Sequence, residues 1–225
     1  MNYAIFGNDP RFDYLSALLD NAGFTYGTPC DILILSHKEN INAHKGCLAP
    51  DGHVFGGRDF AYSHQYKVKN SMLTAEGALA LATVNTDFSI NDSEVLVLGY
   101  GYLGKAVSKL FSCAGAKISV ASRQDSELFD AISKGYKCLG LNALSNLSYD
   151  IIINTIPAKI LENSYILPSA DKGILLELAS ISCTDDTFTA MKVVRGSSLP
   201  GKCCPKTAAL LIFDEIMKML QNPEK

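Results

Sequence analysis

The sequence has 225 residues, of which 48% are hydrophobic and 19% charged, and its formal net charge is −3 at pH 7. This composition predicts a globular protein with a sizeable core, whereas the weakly acidic balance disfavours nucleic acid and anionic membranes as partners. No run approaches the ~18 apolar residues of a membrane span, and the start MNYAIFGNDPRF does not resemble a secretion signal. We therefore expect a cytoplasmic protein whose seven cysteines are reduced thiols.

The N-terminal segment predicts a small α/β unit. Residues 3–7 form a predicted strand, the helix that follows ends at Gly23, and residues 31–36 form a second, buried strand. Glycines and prolines then interrupt the pattern, and only the stretches HVFGG and YKVK are compatible with short strands. Residues 1–69 are therefore predicted to be a small N-terminal domain on the substrate side.

The pattern becomes regular after this segment. Residues 72–88 predict a helix, and we assign 70–91 as the connection between two domains. Apolar strands then alternate with helices, which indicates a parallel sheet covered on both faces. The predicted strands are 93–99, 117–122, 136–141, 150–157, 173–180 and 191–198. The predicted fold class is α/β: a doubly wound Rossmann domain over 92–201 with a smaller N-terminal α/β domain, while 202–225 form a helix that packs back between them.

The stretch VLVLGYGYLGKAV at 95–107 contains the pattern G-x-G-x-x-G between an apolar strand and an amphipathic helix, the context of a dinucleotide-binding βαβ unit. Gly99 suits the tight turn, Gly101 the approach of the pyrophosphate, and Gly104 the close packing of helix on sheet. Backbone N–H groups at the helix start should point at the phosphates. The alternative is a glycine-rich turn without a ligand. The predicted phosphate-binding residues are Gly99, Tyr100, Gly101, Tyr102, Leu103 and Gly104.

The end of the second Rossmann strand predicts the choice of cofactor. NAD enzymes usually carry an acid there, bonded to the ribose 2′-OH, but this sequence has Ser122 and Arg123. A hydroxyl and a guanidinium suit a 2′-phosphate, so NADP(H) is preferred over NAD(H). The nearby Asp125 argues the other way, and Arg123 could also be an ordinary solvated arginine.

Ligands of doubly wound folds lie beyond the carboxyl ends of the strands. Three of those ends have the sequences NTIP (154–157), ELAS (177–180) and SSLPG (197–201). The nicotinamide and the substrate should lie among them and face the first domain. The predicted cofactor residues here are Thr155, Ile156, Pro157, Ala179 and Ser180, and the predicted substrate residues are Pro200 and Gly201.

A lysine stands at the positive end of the last predicted helix. Pro205 suits a first helical turn, but a cation such as Lys206 costs roughly 0.3–1 kcal/mol there. The neighbouring pair Cys203 and Cys204 leaves open a redox role or a simple role as small residues lining a turn. The cysteine spacings match no zinc pattern, so no metal site is predicted.

With these pieces placed, the sequence resembles the A-subunit family of dipicolinate synthase, which makes the spore compound dipicolinic acid in endospore-forming bacteria. The likeness covers roughly residues 66 to 221, although the family's first domain is longer than the 69 residues found here. The stretches that carry it are NSMLTAEGALALATVNTDFSI, VLVLGYGYLGKAV, INTIPAKIL, LLELAS and LPGKCCPKTAALL.

The resemblance implies an oxidoreductase that uses a nicotinamide cofactor and has a flavoprotein-like B subunit for its partner. The implied substrate is the cyclic dicarboxylate product of dihydrodipicolinate synthase. A dicarboxylate would explain Lys206, because a lysine and the Thr207 hydroxyl at a helix N-terminus form an anion site. Lys206 could also transfer a proton, or simply reach solvent or pair with an acid such as Glu76. The other predicted substrate residues are Asn70, Ser71, Thr74 and Glu76 at the start of the connecting helix, where the first three could equally be helix caps.

Other interpretations of the sequence remain as alternatives. A 2-hydroxyacid dehydrogenase needs a histidine acid/base, and no histidine follows His64. A shikimate-type Lys–Asp pair has no convincing context among Lys38, Lys45 and Asp51, and the spacing of the other histidines is irregular for zinc. The alternative from another class is a non-catalytic NADP-binding scaffold subunit. By analogy with the fold, we expect a homodimer.

Overall fold

The computed structural model describes residues 1–57, 61–167 and 173–221. It divides the chain into two compact units. The first unit contains Met1–Asn70 and the segment from Pro200 onward, and the second contains Ser71–Leu199. This division groups the C-terminal helix with the N-terminal residues; the functional domain limits given above remain predictions.

The first unit is built on a four-stranded, all-parallel sheet with the order β2-β1-β3-β4. Helix α7 packs against α1, and the Glu215 carboxylate of α7 accepts a 2.8 Å hydrogen bond from the Ser63 N–H. The elements are β1 (Asn2–Phe6), α1 (Phe12–Asn21), β2 (Thr25–Tyr26), β3 (Cys30–Leu35), α2 (Ile41–His44), β4 (Leu48–Gly56) and α7 (Pro205–Gln221).

Helix α3 (His64–Asn85) leads into the second unit, whose six parallel strands have the order β10-β9-β8-β5-β6-β7. The chain starts in the centre at β5, runs to one edge through β6 and β7, and then crosses to the other side. This is the doubly wound order of a Rossmann fold, so the predicted fold class is confirmed. The elements are β5 (Glu94–Leu98), α4 (Tyr102–Cys113), β6 (Lys117–Ser122), α5 (Asp125–Ser133), β7 (Lys137–Gly140), β8 (Ile151–Asn154), β9 (Ile174–Glu177) and β10 (Lys192–Arg195). Helix α6 (Leu199–Cys203) follows β10 and, apart from Leu199, belongs to the first unit.

The central strands are apolar throughout because both faces of the second sheet are covered. In β5, Val95 and Val97 belong to one core cluster, together with Phe111 of α4. Leu96 and Leu98 point to the opposite face and belong to a second cluster. The alternation of side chains along a strand therefore divides one apolar run between two cores.

One short segment differs from the sequence-based expectation. The stretch YKVK at 66–69 is helical, because α3 begins at His64, so a strand there is wrong. Four residues with two apolar positions fit either period, and packing decides: the Tyr66 ring is buried and stacks on Tyr62 at 4.5 Å between centroids. The stretch HVFGG, in contrast, supplies the end of β4. Within the described part of the chain, no helix is both long and apolar enough to cross a membrane.

Candidate dinucleotide-binding site

The glycine loop joins β5 to α4 and turns sharply at Gly99. Gly99 has a φ of 92°, a conformation that disfavours side chains, and its N–H donates to the Ala121 carbonyl of β6 at 2.8 Å. A Cβ at this position would lie 2.6 Å from the Thr155 Oγ1 atom. The first glycine therefore permits both the turn and the contact with the loop after β8.

The third glycine brings helix and loop together. A Cβ on Gly104 would lie 2.1 Å from the Gly99 carbonyl oxygen, which is far inside van der Waals contact. The helix α4 can approach this closely only because residue 104 has no side chain. The sequence motif and the observed packing agree on this point.

The second glycine leaves the helix start open. Gly101 is the N-cap of α4 and supplies no side-chain acceptor, and no heavy atom lies within 4 Å of the place where its Cβ would be. The N–H groups of a first helical turn have no acceptor inside the helix, and the helix dipole favours negative charge there. An open, positively polarised helix start at the switch point of the sheet fits a pyrophosphate.

The side chain of Tyr100 belongs to the core rather than to the loop surface. The residue is 3% exposed, its ring meets Tyr136 edge-on at 6.4 Å, and Lys105 Nζ lies 5.6 Å from its centroid. Burial raises the pKa of Tyr100 to about 12. Only the backbone of Tyr100 is thus available to a ligand, whereas Tyr102 is 44% exposed.

At the end of β6, the Ser122 hydroxyl already has partners. Ser122 is 3% exposed; its Oγ donates to Glu127 Oε2 at 2.5 Å and accepts the Gln124 N–H at 3.1 Å. Arg123 and Asp125 are exposed. Sequence reasoning named Ser122, Arg123 and Asp125 but missed Glu127, although a glutamate in the first turn of a predicted helix was a visible signal.

A buried amide fixes the loop after β8. Asn154 is fully buried, and its Nδ2 donates to the Ile156 carbonyl at 2.9 Å and to Glu177 Oε1 at 2.6 Å. Its Oδ1 accepts the Ile156 N–H at 3.0 Å. The Thr155 hydroxyl donates to the Leu98 carbonyl at 2.8 Å. Of the predicted cofactor residues in this loop, Thr155 is therefore tied to the end of β5, and Ile156 is tied through Asn154 to the end of β9.

Glu177 holds the second predicted loop in the same way. Its carboxylate, 3% exposed, accepts the N–H groups of Cys183 at 2.7 Å and Ala179 at 3.3 Å, and the Ser182 hydroxyl at 3.3 Å. Burial, followed by the Glu177 charge, raises the pKa of the Cys183 thiol. The signal for Glu177 was an acid ending an otherwise apolar strand, but its partners come from several loops and were not predictable.

The predicted substrate residues on α3 lie further along the helix than expected. Because α3 starts at His64, with the Tyr66 N–H bonded to Ser63 Oγ at 3.1 Å, residues 70–74 lie in the helix interior and not at its start. The capping alternative for Asn70, Ser71 and Thr74 is therefore wrong, and Glu76 lies about three turns into the helix. Ser71 is 8% exposed, and Glu76 is exposed on the rim of an apolar groove formed with Leu79, Ala80, Thr83, Val84 and Leu110.

In the first unit, Lys206 and Thr207 are exposed in the first turn of α7. The first backbone bond at this end of the helix runs from the Ala208 N–H to the Cys204 carbonyl at 3.0 Å. No ion pair of Lys206 is present among the described residues.

An arginine that sequence reasoning missed lies beside the predicted substrate residues Pro200 and Gly201. A Cβ on Gly201 would lie 3.3 Å from Asp9 Oδ1 and 3.7 Å from Arg11 Cγ. Arg11 Nε donates to Asp9 Oδ1 at 2.8 Å and Nη2 to Oδ2. Burial raises the pKa of Asp9, but the hydrogen bonds from Arg11 outweigh it, and the net pKa is lowered. The signal was a charged pair following the first strand.

No model of a protein family matches this sequence. A curated relative does match: the A subunit of dipicolinate synthase from Bacillus subtilis (strain 168) is 32% identical over 159 residues, which is 68% of this chain. This chain is a relative of the dipicolinate synthase A subunit. The resemblance predicted from the sequence is thus confirmed, although the match spans only 54% of the length of that relative.

Solved structures show the same fold over nearly the whole chain. The dipicolinate synthase A subunit from Bacillus halodurans has a TM-score of 0.81 at 22% identity, covering 97% of each chain. D-lactate dehydrogenase from Escherichia coli has a TM-score of 0.65 at 12% identity, covering 100% of this chain and 98% of the other. At these identities, the likeness to the synthase structure and to the dehydrogenase shows the fold alone.

Proposed function

We propose that this chain is an NADP(H)-dependent oxidoreductase of the dipicolinate synthase type. The observation that carries the proposal is the glycine loop, where Gly104 lies so close to the Gly99 carbonyl oxygen that a Cβ would overlap it, while Gly101 leaves the start of α4 open. A loop that packs tightly at Gly104 and leaves the helix start accessible at Gly101 suits a dinucleotide pyrophosphate. The relationship to dipicolinate synthase supports the reaction type.

The cofactor would be held by the second unit. The backbone from Gly99 to Gly104 would bind the pyrophosphate, and residues 155–157 with Ala179 and Ser180 would contact the nicotinamide half. Arg123, exposed beyond the end of β6, would bind the 2′-phosphate, and this is the reason for preferring NADP(H). When bound, NADP⁺ supplies a hydride acceptor.

The proposed substrate is the cyclic dicarboxylate formed by dihydrodipicolinate synthase. Aromatisation of its dihydropyridine ring to dipicolinate removes one hydride and one proton, and the two carboxylates remain unchanged. The loops tied by Asn154 and Glu177 would keep a fixed wall beside the reacting ring. Such pre-positioning lowers the cost of orienting a substrate for transfer.

Lys206 and Thr207 would bind one substrate carboxylate. An exposed ammonium group, a hydroxyl and the start of α7 all attract an anion. In this proposal the unfavourable lysine at a positive helix end is retained for binding. Lys206 is also our candidate for accepting the proton that leaves the ring.

The proposal includes a second, flavoprotein-like B subunit, because the curated relative is itself one subunit of a synthase. It also includes a homodimeric form in the cytoplasm of a sporulating cell. The alternative is a non-catalytic NAD(P)-binding scaffold subunit, which the short first domain would favour.

The test is NADP⁺ reduction by the purified chain, followed by the absorbance of NADPH, with substrate generated in situ by dihydrodipicolinate synthase. Substrate-dependent formation of NADPH supports the oxidoreductase. If NADPH binds but no reduction occurs, with and without the second subunit, the non-catalytic scaffold is favoured. If neither nucleotide binds, both versions fail.

A further inference from the structure

We propose that Glu127 is a specificity-determining residue that limits the preference for NADP(H). The inference rests on the proposed function, because it concerns the same cofactor site. Arg123 attracts a 2′-phosphate, and Glu127 opposes that attraction. The balance between the two side chains would let this chain accept both NAD(H) and NADP(H).

The position of Glu127 follows from the strand end that it contacts. Ala121 accepts the Gly99 N–H at 2.8 Å, so the end of β6 lies directly beside the glycine loop. The next residue, Ser122, donates its hydroxyl proton to Glu127 Oε2. In Rossmann folds, the side chains at this strand end contact the 2′ position of the adenosine ribose.

The hydrogen bonds between Ser122, Gln124 and Glu127 determine which donors and acceptors remain for a cofactor at the end of β6. The proton of the Ser122 hydroxyl is already given to Glu127, and one of its lone pairs is used by the Gln124 N–H. Ser122 therefore has no proton left for a phosphate oxygen. The second carboxylate oxygen of Glu127, Oε1, can accept from a ribose 2′-OH, as the acid of an NAD site does.

A 2′-phosphate would instead bring a second negative charge to this carboxylate. A phosphate bound at the Ser122 end of β6 would lie within the ~8 Å over which physiological salt screens charges, and like charges at such a separation repel. Asp125 lies in the same first turn of α5 but is exposed, and within the described residues it has no bond to Ser122. The hydrogen bond to Ser122 therefore distinguishes Glu127 from Asp125, although both residues are acids of the same helical turn.

The experiment compares the two reduced nucleotides on the purified full chain. NADPH and NADH are titrated by fluorescence against the wild type, Glu127→Gln, and the matched control Asp125→Asn, which removes the same charge from the same helical turn. We expect Glu127→Gln to raise the affinity for NADPH about tenfold and to leave the affinity for NADH equal or lower. Asp125→Asn should change the ratio of the NADPH and NADH affinities by less than about twofold. Glu127→Ala should shift the ratio in the same direction if the first variant folds poorly.

Three outcomes would overturn the inference. The affinity ratio could stay unchanged in Glu127→Gln, both nucleotides could change by the same factor, or Asp125→Asn could shift the ratio as much. In each case nucleotide binding by the wild type persists, so the proposed function survives. Absence of binding of either nucleotide to the wild type overturns the proposed function and this inference with it.

Discussion

Replacing Gly104 with alanine should lower the stability of the second unit. The new methyl carbon would lie 2.1 Å from the Gly99 oxygen and 2.8 Å from the Gly99 carbonyl carbon, and both are backbone atoms that no rotamer change can move. Helix α4 and the loop must therefore separate by roughly 1 Å. Overpacking costs typically about 1–3 kcal/mol, and a rigid backbone contact belongs at the upper end.

The magnitude can be measured by thermal unfolding. A loss of ~1 kcal/mol lowers the midpoint by about 2–4 °C in a chain of this size, so ~3 kcal/mol predicts a fall of roughly 6–12 °C. Circular dichroism melts of wild type and Gly104→Ala give this difference directly. A midpoint within about 2 °C of the wild type would refute the close approach on which the loop geometry rests.

Gly101→Ala is the matched control. No heavy atom lies within 4 Å of its Cβ position, and its φ of −71° suits alanine. Its melting midpoint should therefore stay within about 2 °C of the wild type, whereas NADPH affinity should fall at least ~tenfold because a methyl group would occupy the space proposed for the pyrophosphate. Unchanged affinity would contradict the placement of the pyrophosphate at this helix start.

Four further predictions concern single side chains. In fluorescence titrations, Arg123→Ala should lower the affinity for NADPH about tenfold or more and the affinity for NADH less than about twofold. Equal losses of the two affinities would contradict a 2′-phosphate contact. Lys206→Ala should weaken the binding of dipicolinate several-fold, or by about 1 kcal/mol, as measured by calorimetry, and should leave the affinity for NADPH unchanged. An unaltered dipicolinate affinity would contradict the proposed anion site. Glu177→Gln should cost about 2–3 kcal/mol in unfolding experiments, because a buried N–H loses its acceptor; a cost below ~0.5 kcal/mol would show that the network relaxes freely. Asp9 has a lowered pKa when folded, so its contribution to stability is present above its unfolded pKa and is lost as the pH falls through the folded value. The free energy of unfolding of the wild type should therefore fall below about pH 4. Asp9→Asn should flatten that part of the profile of unfolding free energy against pH, and parallel profiles of the two proteins would contradict the assignment.

The strands and the glycine loop were predictable because their causes are local. KISVAS at 117–122 is a strand in the structure at those same residues, since a run of alternating and β-branched residues between glycine-bounded helices has few other options. The turn at Gly99 and the close packing at Gly104 followed from a motif whose spacing encodes its geometry, whereas the role of Gly101 stays a prediction.

The buried polar contacts were not predictable because their partners are distant in sequence. Asn154 and Glu177 are 23 positions apart, and nothing in either stretch indicates that an amide and a carboxylate share a bond. The start of α3 was misplaced for a related reason. Its first turns are defined by packing of the Tyr66 ring, which a short polar-looking stretch does not reveal.

The discontinuity of the first unit has a consequence for biosynthesis. Helix α7 packs on α1, but the ribosome must make all of the second unit before α7 exists. At about 5–20 residues per second, the N-terminal segment waits for several seconds or more with the α7-facing side of α1 uncovered. The contiguous second unit can fold during that interval. A nascent chain of this protein can therefore complete the second unit first, whereas the first unit is completed only after α7 has left the exit tunnel.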